Sequence, residues 1–111
     1  MLKNNTNKMY QYLQDENIEA FNAAREQGET VDLSNSAFRG LILKGANLNG
    51  LDLSGSHFKS TDLRGADLRD CNLDGCSIFS AKISGVFFPP SLSANEINLS
   101  LLHGTRMRMP G

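Results

Sequence analysis

The feature that most constrains this chain is a large apolar residue at every fifth position for 60 residues. The pattern runs from residue 31 to residue 90 through twelve repeats without an insertion. A period of five matches neither an α-helix, at 3.6 residues, nor a half-buried strand, at two. It predicts a solenoid, because each unit is too small to bury its own apolar face and must stack on its neighbours. The large positions are Leu33, Phe38, Leu43, Leu48, Leu53, Phe58, Leu63, Leu68, Leu73, Ile78, Ile83 and Phe88.

Each pentapeptide also has a second position that we expect to point inward, two residues before the large one. These residues are mostly small: Val31, Ser36, Leu41, Ala46, Leu51, Ser56, Thr61, Ala66, Cys71, Cys76, Ala81 and Val86. Two residues after the large position the chain usually carries glycine, which suits a tight corner because it tolerates positive φ. The repeat therefore predicts two inward side chains and one corner in every unit.

Two units show the repeat most fully, Ala46-Asn47-Leu48-Asn49-Gly50 and Ala66-Asp67-Leu68-Arg69-Asp70. In these units the chain resembles the pentapeptide-repeat family, whose pattern is A-(D/N)-L-x-x. The resemblance implies an all-β solenoid, a right-handed quadrilateral β-helix with four pentapeptides per coil. Twelve repeats would then form three coils, over residues 31–50, 51–70 and 71–90, each rising about 4.8 Å.

The first segment, residues 1–30, is predicted to be a helical cap. Residues 7–27 favour helix, interrupted by a turn at Asp15-Glu16-Asn17 and ended by Gly28. Two short apolar stripes are expected to plug the first coil, and a partner-binding helix is the alternative. The stripes are Met9, Tyr10 and Leu13, and then Ile18, Phe21 and Ala24.

The last segment, residues 91–111, is predicted to be a capping helix and tail. Ser93-Ala94-Asn95-Glu96 has the capping-box pattern, in which Ser93 accepts from the Glu96 amide and Glu96 reaches back. We expect a helix from Ala94 to about His103, ended by Gly104. Its apolar residues should cover the third coil, and an extended tail should pack on the cap. The helix residues for that contact are Ala94, Ile97 and Leu101, and the alternative role for the tail is a basic partner contact by Arg106 and Arg108.

Three large apolar side chains fall at positions that the repeat directs outward. Phe79 and Phe87 lie in the third coil, and we expect the C-terminal helix or tail to cover at least one of them. Ile42 lies in the first coil, and we expect it to meet the N-terminal helices. Single exposed apolar residues are normal, so none of the three by itself requires a partner.

No catalytic or metal-binding pattern stands out in the sequence. The two histidines are His57 and His103, and no phosphate loop or nucleophile elbow is present. Cys71 and Cys76 occupy small inward positions, where we expect buried free thiols rather than a disulfide or half a metal site. We therefore expect no enzyme, no cofactor, no metal and no small-molecule substrate.

The length of 111 residues favours one domain. No apolar run reaches the ~18 residues of a membrane span, and the first residues lack the apolar stretch of a signal peptide. We therefore expect a cytoplasmic protein that does not enter a membrane.

The repeat also assigns the outward charges to the four walls of the solenoid. Wall one holds the repeats that begin at residues 31, 51 and 71, and walls two, three and four follow in order. Walls two and three carry five basic residues against Asp62, a net charge of +4, and walls four and one carry five acids against Arg69, a net charge of −4. The five basic residues are our candidate partner-binding set: Arg39, Lys44, Lys59, Arg64 and Lys82.

Flat walls, a divided charge and missing catalytic groups predict a non-catalytic protein-binding or scaffold module, as a monomer or weak homodimer. The resemblance implies an alternative, since some members of the family mimic duplex DNA and modulate a type II topoisomerase, gyrase. Duplex DNA carries one charge per ~1.7 Å, so ~15 Å of mimic would hold about nine negative charges. The repeats hold six acids and six bases, which favours neither mimicry nor binding of nucleic acid.

Overall fold

The structure, a computed structural model, describes residues 7–110. Its helices are α1 (Lys8–Gln14), α2 (Ile18–Glu26) and α3 (Ala94–His103). Between α2 and α3, the described chain consists of turns and isolated parallel β-bridges rather than continuous strands. The two helical segments therefore enclose a repeat region whose backbone pairing consists of isolated β-bridges.

Every bridge joins two residues that are twenty apart in sequence. The pairs are Ala37 with His57, Ile42 with Asp62, Asp52 with Asn72, His57 with Ser77, Asp62 with Lys82, and Asp67 with Phe87. All six are parallel, and together they involve all four predicted walls. Four pentapeptides thus separate each residue from the one stacked on it, and equivalent walls lie above one another. We call each set of four consecutive pentapeptides a rung.

The large residue of each repeat points into the interior, as predicted. Ten of the twelve are buried, and Ile83 and Phe88 are half-buried. The rings of Phe38 and Phe58 stack inside the solenoid with centroids 5.0 Å apart. The core is therefore a column of apolar side chains that loosens toward residues 83–88.

Polar residues at the small inward position are satisfied by the backbone of the preceding rung. Ser56 Oγ donates to Leu33 O at 2.6 Å, and Thr61 Oγ1 donates to Phe38 O at 2.6 Å. The thiol of Cys76 donates in the same way to a carbonyl 23 residues earlier. A buried hydroxyl is tolerated at these positions because each has a partner.

Left-handed backbone turns the corners. Seven repeat glycines have positive φ, and so do Asn35, Ser60 and Ser80, where the repeat lacks glycine. At Gly55 a Cβ would lie 2.1 Å from Asn35 Oδ1, so a side chain there would displace the Asn35 carboxamide. A serine corner is less favourable than a glycine corner, since Cβ crowds the left-handed conformation.

The N-terminal helices cover the start of the repeat region. Asn7 and Asn17 cap α1 and α2 by accepting from Met9 N and Ala20 N. Buried Met9, Leu13, Phe21 and Ala24 belong to the same apolar cluster as the repeat core. The expectation that the helices cover Ile42 is wrong, because this residue is 58% exposed. Its backbone N–H donates to the Glu16 carboxylate in the turn between α1 and α2.

Helix α3 has the predicted bounds, but only half of the predicted capping box. Ser93 Oγ accepts from Glu96 N at 3.1 Å. The Glu96 carboxylate does not turn back to Ser93; it accepts from Arg108 N at 2.8 Å and from the Arg108 guanidinium at 2.9 Å. A charged partner from the tail provides stronger hydrogen bonds than the capping amide would. The carboxylate therefore fastens the tail to the helix.

The covering residues of this end also differ from the prediction. Ala94 is exposed, whereas Ile97 and Leu101 are half-buried against the core as expected. Met107 in the tail is fully buried, and its backbone pairs with Gly75 N and Cys76 O. The tail thus packs on the last rung itself, and Phe79 beneath Gly104 is the outward phenylalanine that it covers.

Candidate protein-binding surface

The five predicted basic residues divide into two groups. Arg39, Lys44, Lys59 and Lys82 are exposed, and none of these four forms an ion pair within residues 7–110. Arg64 is half-buried and belongs to an ion pair. Four of the five therefore present an exposed charge on walls two and three that holds no ion pair within the described chain.

Arg64 is held by Asp62, two residues earlier. Arg64 Nε and Nη2 donate to the two oxygens of the Asp62 carboxylate at 2.9 and 2.7 Å. The carboxylate also accepts from Arg64 N, and these hydrogen bonds lower the pKa of Asp62 to about 2. Arg64 is thus committed to this fork and is removed from the binding set.

Wall four repeats this arrangement with Asp67 and Arg69. Arg69 donates to both oxygens of Asp67 at 3.0 and 2.8 Å, and the guanidinium also lies 5.1 Å from the centre of the Phe87 ring. The hydrogen bonds from Arg69 lower the pKa of Asp67 to about 2. An Asp-x-Arg unit on a flat wall therefore neutralises itself.

Wall two gathers cations from separate parts of the chain. Gly40 N donates to Lys59 O at 2.9 Å, so Arg39 and Lys59 lie on neighbouring rungs. The Lys59 ammonium lies 5.7 Å from the centre of the Phe79 ring, on the next rung. Arg106 approaches from the tail, with Nη2 3.5 Å from Nε2 of His57.

Arg106 was predicted only as an alternative basic contact of the tail, together with Arg108, and His57 was not in the predicted set. The repeat directs His57 outward on wall two, but it does not show that the tail returns to that wall. Partial burial and the neighbouring charge of Arg106 lower the pKa of His57, which favours the neutral imidazole. We define the basic surface as Arg39, Lys44, Lys59, Lys82 and Arg106.

The acidic side of the molecule uses its carboxylates mainly to hold backbone turns. Asp52 accepts from Ser54 N at 2.9 Å. Asp74 accepts from Met109 N at 3.0 Å, which fixes the end of the tail. These acids have local structural roles, and the two halves of the solenoid differ in what their charges do.

The cysteines carry no sign of reactive chemistry. Both are free and buried, and their thiols donate to Leu48 O and Leu53 O. Burial raises the pKa of both thiols, that of Cys76 to about 12, whereas the reactive form is the thiolate. Within residues 7–110, no three metal-ligating side chains come together.

Two shallow depressions flank Met109 and Pro110 at the C-terminal end. One, of about 410 Å³, is lined by Ser91, Ser93, Glu96 and Arg108 as well as by these two tail residues. The other, of about 450 Å³, is lined by Asp70, Cys71, Asn72 and Asp74 and the same two tail residues. Glu96 and Arg108 are occupied by each other, and Asp74 is occupied by the tail, as already described.

None of the helices in residues 7–110 is long and apolar enough to cross a membrane. Comparison with curated proteins and with solved structures gave no match. A profile of pentapeptide repeats, in eight copies, matches residues 32–70 and 56–88, which together span more than half of the chain. That match agrees with the twenty-residue stacking and implies a right-handed β-helix. The chain belongs to the pentapeptide-repeat family.

Proposed function

We propose that this protein is a non-catalytic protein-binding module whose basic surface binds an acidic face of a partner protein. The observation that carries the proposal is the set of exposed cations on walls two and three that lack a carboxylate partner within residues 7–110. The two arginines of the Asp-x-Arg units, Arg64 on wall three and Arg69 on wall four, are neutralised by their own aspartates. The free cations are therefore the charges available to a partner.

The proposed architecture behind this surface is three coils, over residues 31–50, 51–70 and 71–90, between the predicted cap at 1–30 and the predicted helix and tail at 91–111. Residues 1–6 and 111 of those two segments lie outside the described residues. Parallel bridges at an offset of twenty support this division. Stacked rungs hold Arg39 and Lys59 at the spacing of paired strands, ~4.8 Å. The surface is thus arranged before binding, which reduces the ordering that a partner must impose.

Electrostatic complementarity acts mainly on the rate and specificity of association. Charges on an exposed wall are screened over about 10 Å at 0.1 M salt. Binding through the basic surface should consequently weaken as salt increases. Mimicry of DNA is not favoured by any observation here, since the acids of the repeats are balanced by bases and two of the six are already paired with arginine.

The proposal is tested by isolating a partner from the source cell with the wild-type protein and titrating it against a triple variant. Arg39→Glu, Lys44→Glu and Lys59→Glu reverse three exposed charges that hold no ion pair within the described chain. We expect lost affinity with an unchanged circular dichroism spectrum. Asp70→Lys, an exposed reversal on the acidic half, is the control that should retain affinity.

Unchanged affinity of the triple variant, together with no dependence on salt, would exclude the basic surface as the binding site. A supercoiling assay with gyrase distinguishes DNA mimicry from the proposed function, because a DNA mimic would inhibit supercoiling. We expect no inhibition and no turnover of substrate in any assay.

A further inference from the structure

Stacked rungs leave unpaired backbone groups at both ends of the repeat region. At the N-terminal end, side chains of the helices form hydrogen bonds with these backbone groups. The carboxamide of Asn22 acts like a peptide group: Nδ2 donates to Gly45 O at 3.0 Å, and Oδ1 accepts from Asn47 N at 2.8 Å. Gln14 Nε2 donates to Ala37 O at 2.7 Å. This edge is thus paired along walls two, three and four.

At the C-terminal end, covering hydrogen bonds within residues 7–110 lie on walls one and two only. The tail runs opposite in direction to the last rung, and Met107 exchanges hydrogen bonds with Gly75 N and Cys76 O. Ser100 Oγ accepts from Ile78 N at 3.0 Å, and Leu101 O accepts from Ser80 N at 3.1 Å. The covering chain therefore reaches the corner between walls two and three and stops there.

Among the described residues, none pairs with the C-terminal edge of wall three of the last rung. Twenty residues earlier, Leu63 N and Gly65 N donate to Lys82 O and Ser84 O at 2.9 and 3.1 Å, and Thr61 O accepts from Lys82 N at 2.9 Å. The equivalent groups on the last rung are Ile83 N, Gly85 N and Ala81 O. None of these three has a hydrogen-bond partner within residues 7–110.

The side chains beside these groups are incompletely covered as well. Ile83, Val86 and Phe88 occupy inward positions but are only half-buried, unlike most of their counterparts on earlier rungs. Phe87 is 55% exposed. Unpaired backbone N–H and C=O groups beside partly exposed apolar side chains are typical of a sheet edge that can bind another strand.

We propose that the open edge at residues 81–88 binds an extended segment of a partner protein by strand addition. The segment should alternate small and large apolar residues inward and place an acidic residue outward above Lys82. The charge requirement follows from the column beneath, where Asp62, the bridge partner of Lys82, places an acidic residue at the equivalent outward position one rung lower. Lys82 is exposed and holds no ion pair within the described residues, so its upper side is available.

A suitable probe is a blocked octapeptide that copies residues 61–68 with Arg64→Ser, which leaves its Asp62 carboxylate outside the Asp-x-Arg fork. In the chain, residues 61–68 stack in this register on residues 41–48, the same walls one rung lower. We expect saturable shifts of the Ile83 and Gly85 amide signals in NMR spectra of the full chain, and slower hydrogen exchange at both amides. The equivalent amides of Leu43 and Gly45 should not respond, because Leu43 N is already bonded to Asp62 O and Gly45 lies at the covered end.

The charge requirement is tested on both sides of the contact. A peptide with lysine in place of both aspartates should bind more weakly to the wild-type protein, which needs no variant to fold. Lys82→Gln should weaken binding of the original peptide about two- to fivefold, the change that corresponds to one exposed ion pair. Lys44→Gln, on the same wall at the other end, is the matched control and should leave the affinity unchanged.

Three results would overturn the proposal. One is the absence of shifts at Ile83 and Gly85 at millimolar peptide, and another is equal binding of the lysine peptide. The third is self-association in sedimentation experiments that protects the same amides without peptide, since a second copy of the chain would then occupy the edge. Because the triple variant of the basic surface leaves residues 81–88 unchanged, failure of that surface and failure of this edge give separate results.

Discussion

The ring of Phe58 stacks on the ring of Phe38, twenty residues earlier, with centroids 5.0 Å apart and an angle of 14° between the planes. Both side chains are buried, and Tyr10 of α1 extends the column with its ring centre 5.7 Å from that of Phe38. The pair shows how a five-residue period becomes a core. Every fourth pentapeptide lies on the same wall, so residues at the same repeat position stack on one another at intervals of twenty.

Phe58→Ala should destabilise the protein by about 3–5 kcal/mol, the usual range for truncation of a buried aromatic residue. Paired rungs on both sides limit how far the backbone can collapse into the cavity, because Phe58 N is bonded to Ser77 O and His57 N to Ser36 O. Denaturant unfolding monitored by circular dichroism gives the free energy.

The matched control is Phe87→Ala, which removes a ring of the same type from an exposed position on the same solenoid. It should change the free energy of unfolding by no more than about 0.5 kcal/mol, as is usual for surface substitutions. Equal losses in the two variants would mean that the ring of Phe58 is not part of the packed interior.

The repeat was sufficient to predict the interior, because each inward position depends only on a local period and on stacking. It identified Leu33 through Ile78 at the large positions as buried, and the residues around Ser93 were sufficient to place α3. The pattern could not show that Ile83 and Phe88 would be half-exposed. Their burial depends on a covering segment outside the repeat, and that segment stops at wall two.

The side-chain contacts at the N-terminal end of the repeats, and those within the basic walls, could not be predicted in the same way. Asn22 and Arg25 appear in the sequence as ordinary polar residues of a helix. Only the position of α2 against residues 45–49 gives them their role. The repeat predicts the wall on which Arg64 lies. It does not predict that the guanidinium turns back to the Asp62 carboxylate.

Arg25→Ala should destabilise the N-terminal cap by about 1.5–3 kcal/mol, the range for hydrogen bonds of a charged group. Arg25 Nε donates to Asn47 O at 3.1 Å, its Nη1 to Glu29 O at 2.9 Å, and its Nη2 to Asn49 O. One side chain thus ties α2 to the first rung and to the link that follows the helix. Urea unfolding compares it with Arg39→Ala, an exposed control that should have little effect; equal effects would mean that these bonds add nothing net.

Ser93→Ala should cost about 0.5–2 kcal/mol through loss of the N-cap of α3. The expected mechanism is loss of the hydrogen bond from Glu96 N, 3.1 Å long. Ser91→Ala is the control, since Ser91 is exposed and its hydroxyl makes no hydrogen bond within the described chain. Coincident denaturant midpoints for Ser93→Ala and the wild type would show that the serine does not stabilise this end.

The fork between Asp62 and Arg64 should make stability depend on acid. The pKa of Asp62 in the folded protein is about 2, below the value of about 3.9 for an unfolded aspartate, because Arg64 donates to its ionised form. The unfolded chain therefore binds a proton first as pH falls. The contribution of the fork is complete above about pH 5 and is lost between about pH 4 and pH 2.

Asp62→Asn should be less stable than the wild type at pH 7, and its stability should fall less between pH 4 and pH 2. Thermal unfolding at a series of pH values measures both effects. The control is Asp52→Asn, which alters the same position on another wall, where the carboxylate accepts from Ser54 N and Ser54 replaces the arginine of the fork. Parallel acid profiles for Asp62→Asn and the wild type would mean that Arg64 does not stabilise the ionised carboxylate, and Arg64 would then return to the set of free cations on wall three.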